Sequence, residues 1–274
     1  MSETVAIDSD KIASEAVSVL GKNGQQIAPF SSRDPAFGLN EAYRVTPVVR
    51  HLREGRGEKV VGRKIGFTNR TIWQQYGVYG PIWGYVYDST VRDLSDISVP
   101  VSLATFAEPR IEPEIVFGLS VAPEAGMDER ALLSCIGWVA HGYEIVQSIF
   151  PDWKFTPSDT VAAFGLHGAL LIGERHQVGD DPAKWLNALS DFEIMLRSGD
   201  VIERGHARDV LDGPLSALKH LVNLLAQDED NPPIAAGEII TTGTLTKAMP
   251  VRPGERWTTE LTGIPLGGID IRFG

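Results

Sequence analysis

Cysteine is almost absent: Cys135 is the only one in 274 residues. A single thiol excludes an intrachain disulfide framework and a cysteine-based zinc site, and it fits a reducing compartment. Its apolar neighbours predict a packed core thiol, not a nucleophile. No Lys/Arg-rich run stands out in a chain of formal net charge -11, so neither nucleic acid nor an anionic membrane is an expected partner. A local cationic pocket for a small anion stays open. No apolar run is long enough to span a bilayer, and Met1 to Lys22 lacks the cationic start and apolar block of a secretory signal. The expected location is the cytoplasm. No Gly-rich phosphate loop opens a helix, no segment repeats, and the histidines have no metal-ligand spacing; His141 and His167 read as packed or polar-network residues.

With 43% hydrophobic and 22% charged residues the chain can bury a substantial core. Ile12, Ala16, Val17 and Leu20 recur at helical spacing, with Gly21 placed to stop the turn. Asn40 could cap a second helix carrying Ala42, Val45, Val49 and Leu52 on one face, which Pro47 should kink or divide. From Lys59 to Thr68 the pattern alternates as a strand does, which sets an expected boundary between a helical region over 1–58 and a β-rich region over 59–274. Short strands are expected over 110–117, 168–172, 192–197, 238–244, 256–261 and 269–273, and helices over 128–140, 182–189 and 214–227. Strands that outnumber helices without regular βαβ alternation argue for an α+β fold with a rolled or sandwich-like sheet.

In the run from Arg110 to Ile115, a period of two sends Glu112 and Glu114 to one face. Their α-carbons would lie roughly 7 Å apart, close enough for both carboxylates to reach one cation. The plainer reading is the solvated face of an edge strand, since Pro113 cannot donate to a ladder, and on spacing alone that reading is preferred. Glu144, flanked by Tyr143, Ile145 and Val146, is either a helix-end acid or a third carboxylate. Three carboxylates without His or Cys would suit Mg²⁺ or Mn²⁺. Lys64, between Gly62 and Gly66, is either a solvated strand lysine or a cation reaching a ligand. Thr242, Gly243 and Thr244 form either a plain turn or a bend whose hydroxyls and amides bind a carboxylate.

Taken in order, Gly-Arg-Lys-Ile-Gly-Phe-Thr at 62–68, Arg-Ile-Glu-Pro-Glu-Ile at 110–115, Tyr-Glu-Ile-Val at 143–146 and Thr-Gly-Thr at 242–244 resemble the 2-keto-4-pentenoate hydratase family of the fumarylacetoacetate hydrolase superfamily. The resemblance reverses the preference for the plainer reading of Glu112 and Glu114. It implies a mixed β-sandwich roll with a helical N-terminal region, and a divalent cation, Mg²⁺ or Mn²⁺, held by Glu112, Glu114 and Glu144. It further implies Lys64 as the active-site lysine, Thr242, Gly243 and Thr244 toward the substrate carboxylate, and Asp159 close to the site. The implied activity is hydration of a 2-hydroxyalka-2,4-dienoate to a 4-hydroxy-2-oxo acid in the catabolism of aromatic or related cyclic compounds, by a homo-oligomer that can associate with a pathway enzyme. Decarboxylation of a 2-oxo-3-enedioate and carbon–carbon hydrolysis of an acylpyruvate use the same platform. A non-catalytic partner subunit is the rival of another class, because Ile82 stands where many of these hydratases carry an acid; Asp88 is near it in sequence. Trp73, Tyr76, Tyr79, Trp83, Tyr85 and Tyr87 are expected in the pocket or its lid, or equally in core or interface.

Overall fold

The computed structural model describes residues 7–70, 73–179 and 182–274, apart from the side chains of Gln75 and Tyr76. Helices α1 (Ser9–Ser18), α2 (Phe30–Arg33) and α3 (Leu39–Glu54) precede strand β1 (Val60–Gly66), and α4 (Trp73–Tyr76) precedes β2 (Ile82–Tyr87) and β3 (Val91–Asp93). Next come β4 (Arg110–Leu119), α5 (Glu129–Cys135), β5 (Ile136–Val146), α6 (Pro157–Ala162), β6 (His167–Gln177), α7 (Pro182–Ser190), β7 (Glu193–Ser198) and β8 (Val201–His206). The chain closes with α8 (Pro214–Leu225), β9 (Ile239–Thr244), β10 (Met249–Pro250), β11 (Arg256–Thr262) and β12 (Asp270–Arg272).

One sheet runs in the order β2-β1-β9-β4-β5-β6-β3, with β10 pairing β4 beyond β9; the other runs β12-β11-β7-β8. Ile111, Tyr143, Ile145 and Leu171 of the first sheet pack against Leu196, Trp257 and Ile271 of the second, which makes the sandwich of the α+β fold. A second apolar cluster joins α8 to the large sheet through Leu215, Leu218 and Leu225 with Ile115, Phe117 and Ile240. The N-terminal helices do not stand apart. Ala16, Val17, Ala42 and Val45 share one cluster with Ile82, Val146, Val161 and Phe164.

The central strand β4 lies between β9 and β5, so it is not the solvated edge that its glutamates and proline suggest. Pro113 is tolerated there because its carbonyl accepts from the Leu245 amide, so its nitrogen faces the same side, where β9 gives way to β10. No bond to β5 is lost.

Two sequence expectations change. The helix expected over 128–140 ends at Cys135, and Ile136 onward is β5, buried on both faces over most of its length, so that period-two alternation is lost. Glu144 therefore sits within a strand and not beyond a helix. The second helix starts from Gly38, with Asn40 inside it, and continues through Pro47 to Glu54. Of the aromatics, Trp73 and Tyr76 lie in α4, Tyr79 is exposed, and Trp83, Tyr85 and Tyr87 of β2 are buried in the core, one of the two places expected for them; the side chain of Tyr76 lies outside the described set.

His141 links the two sheets. Its Nδ1 donates to the Glu114 carbonyl (3.0 Å) and its Nε2 meets the Thr259 hydroxyl of β11 (2.8 Å). Burial pushes its pKa from 6.5 down to about 4, so the folded ring stays neutral where the unfolded one takes up a proton. A depressed value means stability is present above pH 6.5 and is lost as the pH falls through about 4. In urea unfolding, the stability advantage of the wild type over His141→Gln should shrink across that window by up to ~3 kcal/mol; a pH-independent difference would contradict the assignment.

Candidate metal and substrate site

Strand pairing assembles the acidic cluster. Glu112 of β4 lies directly opposite Glu144 of β5, and Glu114, two residues on, shares that face. One carboxylate oxygen from each of the three lies within 4.8 Å of the others. Glu114 and Glu144 are fully buried and Glu112 is partly exposed toward the adjoining cavity. Lys64 of β1, also buried, brings its ammonium to 3.4 Å from Glu144 and donates to the Gly165 carbonyl at 2.9 Å. Gly165 has φ 62, and a β-carbon on it would sit 2.8 Å from Lys64 Cδ, so glycine here admits the lysine.

Each buried carboxylate has one oxygen fixed by a hydrogen bond. Glu114 Oε2 accepts from the Gly243 amide (2.8 Å) and Glu144 Oε1 accepts from His167 Nδ1 (2.7 Å). Glu114 Oε1 has no hydrogen-bond partner, and Glu144 Oε2 makes no hydrogen bond and meets only the Lys64 ammonium, at 3.4 Å. A buried carboxylate oxygen without a hydrogen bond is costly, and two such oxygens beside a third acid are the donor set a hard divalent cation takes. Fully ionised, three carboxylates and one ammonium leave two negative charges, which such a cation neutralises. The residues present therefore fit Mg²⁺ or Mn²⁺.

Proton affinities reflect the same crowding. Burial pushes Glu112 up to about 7, with Glu144 adding and Lys64 opposing, and it drives Glu114 well above the carboxylate range with help from Glu144 and Glu112. Burial also acts to raise Glu144, but Lys64 and His167 outweigh it and hold that group down to about 2. Burial would discharge Lys64, yet Glu144, Glu112 and Glu114 overcome it and keep the ammonium charged.

The cavity beside the cluster, about 90 Å³, is walled by Lys64, Thr68, Ile82, Arg110, Glu112 and Thr244 among others. Of the three bend residues, Thr244 alone lines it. Thr242 Oγ1 donates into the sheet to the Ile115 carbonyl, and the Gly243 amide is spent on Glu114. Gly243 has φ 102 at a bulge between β9 and β4, and a β-carbon there would meet Thr68 Oγ1 at 2.0 Å. Asp159 lies away from the cavity wall: its carboxylate accepts from the amides and hydroxyls of Ser31 and Thr156, and it closes the N-terminus of α6. Asp88 is exposed and caps the Lys59 and Ser89 amides.

Thr68, Arg110 and His167 were not anticipated in these roles. Thr68 carries a buried hydroxyl without a partner at the cavity wall. Arg110 lies 3.9 Å over the Trp153 ring, and period-two alternation places it on the face of Glu112. That alternation was the available signal for Arg110. Ile82 packs beside Lys64 across Gly66, so the wall is apolar at that point.

No protein-family profile matches the chain. It is 30% identical over 253 residues to 2-hydroxyhexa-2,4-dienoate hydratase of Comamonas testosteroni, covering 92% of each protein. It is 32% identical over 246 residues to 4-oxalocrotonate decarboxylase of Pseudomonas sp. (strain CF600), covering 87% of each. The chain belongs to the 2-keto-4-pentenoate hydratase family of the fumarylacetoacetate hydrolase superfamily. A solved family structure, 4-oxalocrotonate decarboxylase from Pseudomonas putida G7 with magnesium and adipate, superposes with a TM-score of 0.85 at 26% identity over 98% of this chain and 99% of that one.

The raised carboxylates give a pH test. Glu112 and Glu114 bind protons more tightly folded than at the ordinary 4.5, so the metal-free protein loses stability as the pH rises through about 7. A cation competes with those protons and relieves the repulsion. The rise in Tm on adding MgCl₂, followed by calorimetry, should be larger near pH ~8 than near pH ~5.5; an equal rise at both would contradict the site.

Proposed function

We propose that the protein is a divalent-metal-dependent hydro-lyase that adds water to a 2-hydroxyalka-2,4-dienoate and yields a 4-hydroxy-2-oxo acid. The observation that carries this reading is the triad of Glu112, Glu114 and Glu144, two of them fully buried, beside a charged, buried Lys64 at the end of a small cavity. The names of its relatives support the choice of reaction. Several are hydratases of such dienoates, matched over nearly the whole chain. Held by these carboxylates, Mg²⁺ or Mn²⁺ would supply Lewis-acid polarisation of the substrate's carboxylate and 2-oxygen.

The protein's own groups do the rest. Lys64 puts a fixed positive charge at the cavity wall, where negative charge on the substrate's carboxylate and 2-oxygen needs it, and its ammonium can lend or take a proton. Thr68 and Thr244 offer hydroxyls along the same wall. Protonation of the dienol at C5 gives the 2-oxo-3-enoate, and water then adds at C4 in conjugate fashion. Ile82, Phe67, Phe155 and Leu166 enclose the cavity with apolar surface, which limits access of bulk water. Thr242, Gly243 and Asp159 act in this scheme through hydrogen bonds that hold the surrounding scaffold and Glu114, and not by touching substrate. We place the enzyme in the cytoplasm, consistent with the free buried thiol of Cys135 and with the absence, among the described residues, of a helix long and apolar enough to cross a membrane. Self-association is part of the same reading.

Decarboxylation of a 2-oxo-3-enedioate is the second reading. It is favoured by the Arg110 cation in the cavity wall, suited to a distal carboxylate, and by the likeness to decarboxylases. Product analysis separates the two. Purified protein with Mg²⁺ should deplete the ultraviolet absorbance of 2-hydroxypenta-2,4-dienoate and give a product heavier by one water, and chelation should stop the reaction. Release of CO₂ from 2-oxohex-3-enedioate with the dienoate left intact would replace hydration by decarboxylation. Lys64→Ala should lower kcat/KM by about 100-fold or more while the bound metal is unchanged; full turnover at normal metal content would remove the lysine from the scheme.

A further inference from the structure

His167 is fully buried, yet the reading above gives it no part. It stands where the register between β5 and β6 breaks. Glu144 pairs with Leu170 and Ile145 with Ala169, but Val146 pairs with His167, so Gly168 is the extra residue of a bulge. In an unbroken register Gly168 would lie opposite Val146, and His167 would be carried one position past it. The bulge re-aims the imidazole toward Glu144. Only glycine suits the position, because a β-carbon on Gly168 would sit 2.7 Å from the Ile145 carbonyl and 3.1 Å from the Phe106 ring.

A carboxylate only accepts, so His167 Nδ1 carries the hydrogen shared with Glu144 Oε1 at 2.7 Å. The opposite nitrogen, Nε2, is 2.8 Å from the Thr90 hydroxyl, which also lies 2.8 Å from the Tyr87 carbonyl. The ring is thus fixed from both ends. With Oε1 held, Glu144 keeps Oε2 for the cluster, where it makes no hydrogen bond and faces the Lys64 ammonium at 3.4 Å. On its Thr90 side the ring walls a separate cavity of about 530 Å³, which touches His167 and Thr90 and none of the three carboxylates. The ring is therefore also a barrier between that cavity and the cluster.

We propose that His167, oriented by Thr90, is a positioning residue that fixes the metal-facing rotamer of Glu144. The proposal rests on the reading of Glu112, Glu114 and Glu144 as metal ligands. Buried groups that orient a metal ligand typically change affinity by about 10- to 100-fold when removed.

The test uses full-length protein stripped of metal, with Mn²⁺ binding followed by electron paramagnetic resonance and unfolding followed separately without metal. Asparagine places its amide near the position of Nδ1, and glutamine places it near Nε2. His167→Ala and His167→Gln should weaken Mn²⁺ binding about 10- to 100-fold, and His167→Asn should recover most of the loss. Thr90→Val, which leaves the ring in place without its anchor, should weaken binding in the same direction and by less. Wild-type affinity in the Ala and Gln variants overturns the proposal, as does an equal loss in Asn and Gln that tracks the loss of metal-free stability. Glu144→Gln separates the two readings. If that variant binds Mn²⁺ as the wild type does, the metal site itself fails and the role of His167 falls with it; if it loses Mn²⁺ while His167→Ala keeps it, only the role of His167 fails.

Discussion

Like charges forced together inside a sheet are the constraint around which this molecule is arranged. Glu112, Glu114 and Glu144 meet because two central strands pair with two acids directly opposite each other, and burial withholds the water that would screen them. One buried lysine offsets part of that charge. The remainder is the electrostatic demand for a divalent ion. Lys64 arrives on the adjoining side of the sheet, on β1, and its carbonyl anchor at Gly165 comes from the turn before β6.

Two departures from regular sheet geometry flank the cluster, and each aims one donor. The bulge at Gly243 turns a backbone amide onto Glu114, and the bulge at Gly168 turns an imidazole onto Glu144. Each glycine is required by a close approach that a side chain would block. Both buried acids are consequently tethered by a hydrogen bond to one oxygen, while the other oxygen, which on Glu144 faces Lys64, makes none. Such preorganisation lets a cation bind without reorganising the core.

Much of the architecture was legible in the amino-acid sequence, because half-buried strands and amphipathic helices announce their period. Leu215, Leu218, Val222 and Leu225 mark α8, and the alternation around Lys64 marks β1. The misreadings occur where that signal vanishes. Ile136–Val146 is buried on both faces over most of its length, so the start of this strand has the apolar pattern of a helix end. The paired acids were legible as sharing a face, but that β4 is central and faces Glu144 depends on long-range pairing that no local pattern encodes. His167 was readable as a polar-network residue; its partner was not, since the bulge that aims it depends on contacts between β5 and β6. Thr242 and Asp159 belong to motifs near the site, yet their side chains close hydrogen bonds within the scaffold.

In the proposed scheme, hydration and decarboxylation would both draw on the same cation, the same lysine and the same stabilised enolate, so the triad would be the common requirement of either outcome. Ile82 and Arg110 then set what the distal wall offers: apolar surface beside Lys64 and a cation stacked on Trp153. The most direct test of the whole account is a crystal structure of Mn²⁺-loaded protein with data collected to record the metal's anomalous scattering. A single strong peak within bonding distance of carboxylate oxygens from Glu112, Glu114 and Glu144 is the expected result. A peak elsewhere, or none between these three side chains in protein saturated with Mn²⁺, would contradict it.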